Sequence, residues 1–319
     1  EERVERGAGA GPADLAAFYR TLAPADAYDR SAPVAATVRA AAVDLTPEHS
    51  RLPHPRRRRV LHLVLSLPAG VSYRAGDVAV LHPTNAPAAV ERVLAALPDR
   101  LARRADEEFL AVPGPSWRVG RVTLREFLVR CADLTGPVDR TRLGDLAAFV
   151  RMDGGGQEFA DRLRHLASPE GHAIYVDYVV RERRGWGEVL EDFGPFLRSE
   201  EEQGEGPVLS LGHWVAMLDP AAPRHFSIAS APSDDPGSLE LCAAEVVERT
   251  RYGRTFHGLC TGHLARLHAG DAAPLWIRPG SFDRATAAPN AVWALGNGTG
   301  VAPLRSVLRE RMAARRHAG

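Results

Sequence analysis

The sequence contains no lysine. All 40 of its basic residues are arginine, balanced by 40 Asp and Glu, so the formal charge is zero. A neutral chain carries no global electrostatic argument for nucleic acid or an anionic membrane. With Ala, Gly and Pro abundant, the missing lysine reads as coding bias before function. Cysteine is also scarce: Cys131, Cys242 and Cys260 are scattered without paired spacing. That argues against a disulfide scaffold and for an intracellular, cytoplasmic setting. Cys260 and His263 have a ligand-like gap, but no second pair completes a zinc site. HExxH and GxSxG are both missing, which removes the signatures of metal and triad hydrolysis. No apolar run approaches the roughly 20 residues of a membrane span. The charged, glycine-rich start EERVERGAGAGP is unlike a signal peptide.

What is present is a substantial core: 45% of 319 residues are hydrophobic, enough for two domains or one with an insertion. Residues 1–33 read as a linker. From 34, VAATVRAAAV and RRVLHLVLSL alternate or run apolar as strands do. PAGVSYRAGD then leads into VAVLHP, with Gly76 and Asp77 at the turn. Between about 86 and 218 the period is mostly helical, in segments such as PAAVERVLAALPDRLARR, TLREFLVRCADL and EGHAIYVDYVVRERR. RSEEEQGEGP, near the end of that block, reads as a solvated loop. Strands return after about 222 in HFSIAS, LELCAAEVVER and APLWIRPG. The pattern is α+β, a β-fold interrupted by a helical block and then resumed.

Three stretches carry chemistry. In PRHFSIASAP (223–232), strand alternation puts Arg224 and Phe226 on one face and His225 and Ser227 on the other. An ordinary strand with one exposed Arg fits the same residues. In HGLCTGHLARLHAGD (257–271), a glycine loop ends at Thr261, an N-cap residue type, before a helix. Amides at a helix start can hold a diphosphate, helped by the helix dipole; a capped surface helix is the plainer alternative. In AVWALGNGTGVAPL, the apolar run 291–295 predicts a strand, 296–300 a phosphate loop, and Pro303 the first turn of a helix. A lone unit of this kind cannot bury both faces of its strand. The tail is therefore expected to be the most loosely held part.

Together the three stretches resemble the FAD-binding half of the diflavin reductases, over roughly residues 34–319. That resemblance implies an antiparallel β-barrel of ferredoxin-reductase type (34–289) with an inserted helical connecting subdomain (about 86–218). The first βα unit of a Rossmann-like NADP domain (290–319) would follow. GLCTGHLARL and PLWIRPGSF are close to the wording of the NADPH-dependent diflavin reductase of cytosolic iron–sulfur protein assembly. YRAGDVAVLHPTN is similar to the family segment that opens its barrel.

By the resemblance, Phe226 (where Tyr is more frequent) would stack on the isoalloxazine, within a motif that includes His225. Arg224 and Arg183 would pair with the FAD diphosphate. Ser227 would hydrogen-bond near flavin N5, the catalytic position. Gly258, Leu259, Cys260 and Thr261 would supply backbone N–H groups, and Thr299 would contact NADPH phosphates. Arg58 matches an NADPH-side arginine only loosely, and a solvated basic run fits it better.

The family's FMN domain and the rest of its NADP domain have no counterpart in this sequence, so the chain reads as a central segment. FMN and an iron–sulfur acceptor of anamorsin type would be engaged through the missing FMN domain. Another diflavin reductase, of cytochrome P450 or methionine synthase reductase type, stays open, as does a catalytically idle FAD-binding module.

Overall fold

A computed structural model describes residues 33–44, 59–110, 121–152, 154–198, 207–282 and 291–318. Arg58 and most of the predicted linker and acidic loop lie outside the described residues. The chain divides into two compact units, one built on 84–221 with 248–259, the other on the remaining described residues.

The second unit is an antiparallel sheet. Its strands are β1 (Val34–Asp44), β2 (Val60–Ser66), β3 (Val78–Leu81), β6 (Arg224–Ser227), β7 (Ser238–Ala244) and β10 (Ala272–Arg278), ordered β6-β3-β10-β1-β2-β7. β2 alternates as its sequence does: Leu61, Leu63 and Leu65 face inward and are essentially fully buried. Leu239 and Leu241 of β7, Ala36 and Val38 of β1, and Leu275 of β10 fill the same core. The two ends of the sheet then meet. Ile228, just past β6, bridges Leu241 of β7, and the Ala229 N–H donates to the Glu240 carbonyl at 2.8 Å. This single bridge joins the sheet ends just past β6, while β6 itself keeps one unpaired edge. The antiparallel fold expected from the sequence is present as a curled half-barrel.

Asp77 fastens one end of this barrel. Its carboxylate accepts the Arg74 N–H at 2.8 Å and the Gly280 N–H at 3.0 Å, tying the turn before β3 to the loop after β10. That approach requires glycine on both sides. Gly76 has φ +93, and a Cβ on Gly280 would fall on the Gly76 carbonyl.

The helical unit begins where the barrel strand β3 ends. Its longer helices are α1 (Pro87–Ala96), α2 (Arg140–Ala147), α3 (Gly156–Ala167) and α4 (Trp186–Phe193). Trp186 and Trp214, both fully buried, meet edge to face at 4.9 Å. A short ribbon of β4 (Glu108–Leu110) and β5 (Arg121–Thr123) sits unforeseen among the helices. The end of the predicted strand LELCAAEVVER separates as β8 (Val247–Arg249) and pairs with an unforeseen β9 (Thr255–His257), a ribbon that belongs almost wholly to this unit.

Asn85 pins the start of the unit. Its side-chain amide donates to the carbonyls of Leu128 (2.7 Å) and Ala132 (2.6 Å), and its own N–H donates to the Val129 carbonyl at 2.8 Å. Asn85→Ala strands two buried carbonyls. Each loss costs about 1–3 kcal/mol, so urea unfolding should show a destabilisation of at least that size. An unchanged midpoint would mean that the pinning is not needed.

Candidate functional site

β6 carries the first predicted motif and pairs only with β3, in the register Val78↔Ser227, Ala79↔Phe226, Val80↔His225 and Leu81↔Arg224. Arg224 and His225 are exposed; Phe226 and Ser227 are half-buried. Phe226 packs partly on the barrel core, on the face that Ile228 continues inward. Its ring is therefore held from one side. Arg224 makes one long bond, to the Ala222 carbonyl at 3.4 Å, and has no carboxylate partner among the described residues. On the opposite face, His225 Nε2 lies 3.4 Å from a guanidinium nitrogen of Arg278. Register places Arg278 and Ser227 in one row across Val78. The face of the predicted catalytic hydroxyl is thus bordered by a cation that the sequence reading missed.

The second motif needs a correction. The helix, α5 (Leu259–Arg266), starts two residues before Thr261, so Thr261 lies in its first turn and is not the N-cap. Its hydroxyl accepts the Val246 N–H at 3.0 Å. The amides left without intrahelical partners are those at the start of the helix, from Leu259 through Thr261. Burial pushes the Cys260 thiol up to about 12, with the nearby Arg224 charge opposing, so this side chain stays a neutral thiol. Any contribution of Cys260 to anion binding comes from its backbone N–H. Gly258 and Leu259 belong to the helical unit, and so does Arg183, whose Nε donates to Glu248 at 3.2 Å.

The third motif is corrected more strongly. Ala291–Asn297 form no strand: an apolar run becomes one only when neighbours take its backbone bonds, and no described strand does so. Trp293 and Leu295 are 90% and 88% exposed. Thr299 lies half-buried in a 3₁₀ turn (Gly298–Gly300) that leads into helix α6 (Val301–Ala318). The helix itself is not loosely held. Ser306, fully buried, donates to the Ser230 carbonyl and accepts the Gly76 N–H at 3.2 Å. Arg305 donates to the Ala229 carbonyl at 2.7 Å and pairs with Glu240 at 2.7 Å. Arg309 reaches Asp234 at 2.7 Å and Glu240 at 3.4 Å, while His62 meets Glu240 at 2.9 Å. The only local signal for this clamp was a lone Glu in the apolar strand LELCAA.

These features define the class. The chain belongs to the FAD binding domain family, whose model matches residues 39–263. Among similar proteins, NADPH-dependent diflavin oxidoreductase 1 of Mus musculus is 31% identical over 252 residues, covering 77% of this chain and 40% of its own length. NADPH–cytochrome P450 reductase of Oryctolagus cuniculus is 30% identical over 269 residues, covering 80% and 37%. That of Dictyostelium discoideum is 28% identical over 261 residues, covering 79% and 36%. The chain spans well under half the length of these relatives. Among the described residues, no helix is long and apolar enough to cross a membrane.

The Glu240 clamp sets an acid limit. Burial pushes the Glu240 carboxyl up, but hydrogen bonds and charges from His62 and Arg305 outweigh it and hold it below its usual 4.5. A carboxyl depressed on folding contributes stability above its unfolded pKa, and that contribution is lost as pH falls through the folded value. Thermal midpoints should therefore fall as pH drops below about 4.5, and Glu240→Gln should flatten that limb. Parallel pH profiles for the two proteins would rule the clamp out.

Proposed function

We propose that this chain is the FAD-binding segment of an NADPH-dependent diflavin reductase. Electrons would pass from NADPH through FAD and FMN to an iron–sulfur protein acceptor of anamorsin type, in cytosolic iron–sulfur cluster assembly. The observation that carries the reading is the edge strand Arg224–Ser227, where an exposed cation without a carboxylate partner stands beside a half-covered aromatic ring. The NADPH part is supported by the names of the relatives, and the iron–sulfur part by the likeness of GLCTGHLARL and PLWIRPGSF to that subfamily. The comparable similarity to cytochrome P450 reductases favours a second reading, a reductase of that type.

The residues present fit FAD. A diphosphate needs cations and amides, and Arg224 and the first turn of α5 offer both. Arg183, on the helical unit, offers a second guanidinium. A flavin ring needs a flat apolar surface, and Phe226 is propped against the core so that one side of its ring is supported. When bound, FAD supplies the conversion of a two-electron hydride donor into single-electron steps. The chain's own part is binding and orientation: Ser227 would offer its hydroxyl near flavin N5, and Thr299 would meet NADPH phosphates.

Arg224→Ala should weaken FAD binding about 10- to 150-fold, the equivalent of one charge-assisted contact. Phe226→Ala should cost roughly 0.5–1.5 kcal/mol beyond lost area, and Phe226→Tyr should be nearly silent. Titration of the purified chain by flavin fluorescence measures all three. Unchanged affinity in Arg224→Ala would remove the diphosphate assignment.

A further inference from the structure

Arg183 is the only non-glycine residue with positive φ among the described residues, at φ 49. The left-handed conformation is unfavourable for an L-residue and persists only where the surroundings fix it. Here they do. The preceding π-helical turn, Val176–Val180, supplies the Val180 carbonyl that accepts the Arg183 N–H at 3.3 Å. Glu182, 1% exposed, accepts the Tyr252 N–H on its carboxylate at 3.3 Å, and its carbonyl accepts from Arg254. Arg254 is itself held by Glu188 of α4. The backbone at 182–183 is thus tied to the turn between β8 and β9.

The side chain of Arg183 is tied to the same ribbon. Its Nε donates to Glu248 of β8 at 3.2 Å, and its guanidinium lies over the ring of Phe256 of β9, 5.5 Å from the centroid. A guanidinium has five N–H donors. Glu248 engages Nε, and Phe256 covers one face. Among the described residues nothing else bonds the terminal nitrogens, so both Nη groups remain available. Their parallel N–H bonds form the edge that grips two oxygens of a phosphate at once.

We propose that Glu248 and Phe256 are positioning residues that preset Arg183 as a fork for the diphosphate of a nucleotide. The inference rests on the FAD reading above and adds two residues to it. Glu248 acts here as a hydrogen-bond acceptor that fixes the guanidinium plane. The competing view is a surface ion pair, with side chains 40% and 35% exposed, which would be worth little and would not affect a ligand.

The test is calorimetric titration of the full chain with FAD and, separately, with ADP, which carries a diphosphate but no flavin. Glu248→Ala and Phe256→Leu should each raise the Kd for both ligands about 2- to 10-fold, the cost of re-ordering one loosened side chain. Glu248→Gln keeps an acceptor oxygen and should bind at least as tightly as the unaltered chain, which guards against a folding artefact. In an Arg183→Ala background, Glu248→Ala should have no further effect. Unchanged binding in Glu248→Ala, or its full effect persisting without Arg183, would overturn the proposal. If the unaltered chain binds ADP but not FAD, with the Glu248 effect intact, the fork stands and the flavin reading falls. If it binds neither, both fall.

Discussion

The barrel depends on one change of partner. Through Ile228, whose N–H still donates to the Asp77 carbonyl at 3.0 Å, the chain follows the β3 side; at Ala229 its N–H turns to Glu240 of β7 and bridges the sheet ends. Because the exchange happens there and not earlier, Arg224–Ser227 keep one unpaired side and stay partly open, while Ile228 is driven into the core. The same exchange aims the carbonyls of Ala229 and Ser230 away from the sheet ladder. Buried carbonyls need donors, and Arg305 and Ser306 of α6 supply them. One crossing therefore produces both the exposed motif and the seat of the helix behind the glycine loop.

An all-arginine chain also fastens itself in a particular way. A guanidinium can serve two partners at once, which an ammonium's point charge does with less directional control. Arg92 binds both Glu188 and Glu191 across to α4, Arg125 joins Asp106 to Glu91, and Arg305 spans a carbonyl and Glu240. Single arginines act as cross-links between elements. Whatever set the composition, its structural result is a set of two-ended ties in both units.

Much of this was legible locally. β2 alternates in sequence as it does in burial, the helical block falls close to where its period changes, and RHFS lies on a strand with the predicted alternation of faces. What was not legible depends on distant partners. Ala291–Leu295 has a strand's composition, but composition supplies only one side of a ladder. Thr261 is a good cap residue, yet the helix starts earlier, and the hydroxyl satisfies Val246 from another segment. Glu248 and Phe256 matter through Arg183, some 65 residues away in sequence from Glu248, and no spacing rule reaches that far. Val247–Arg249 reads as the end of the barrel strand LELCAAEVVER until the turn that follows it is seen bonded, through Tyr252 and Arg254, to Glu182 of the helical unit.

The two arginines assigned to the diphosphate are prepared in opposite ways, and electrostatics says what each preparation achieves. Arg224 is exposed and uncompensated among the described residues, so its field extends outward and favours the arrival of an anion, though its side chain must be ordered on binding. Arg183 has part of its charge answered by Glu248, so its pull at a distance is weaker. It is already oriented, however, and loses less freedom when a ligand is gripped. Exposure favours the capture of an anion and pre-orientation favours its grip, and each arginine carries one of these properties within its own unit. In an otherwise neutral chain, it is the local geometry around each guanidinium, more than net charge, that sets what that guanidinium offers an anion.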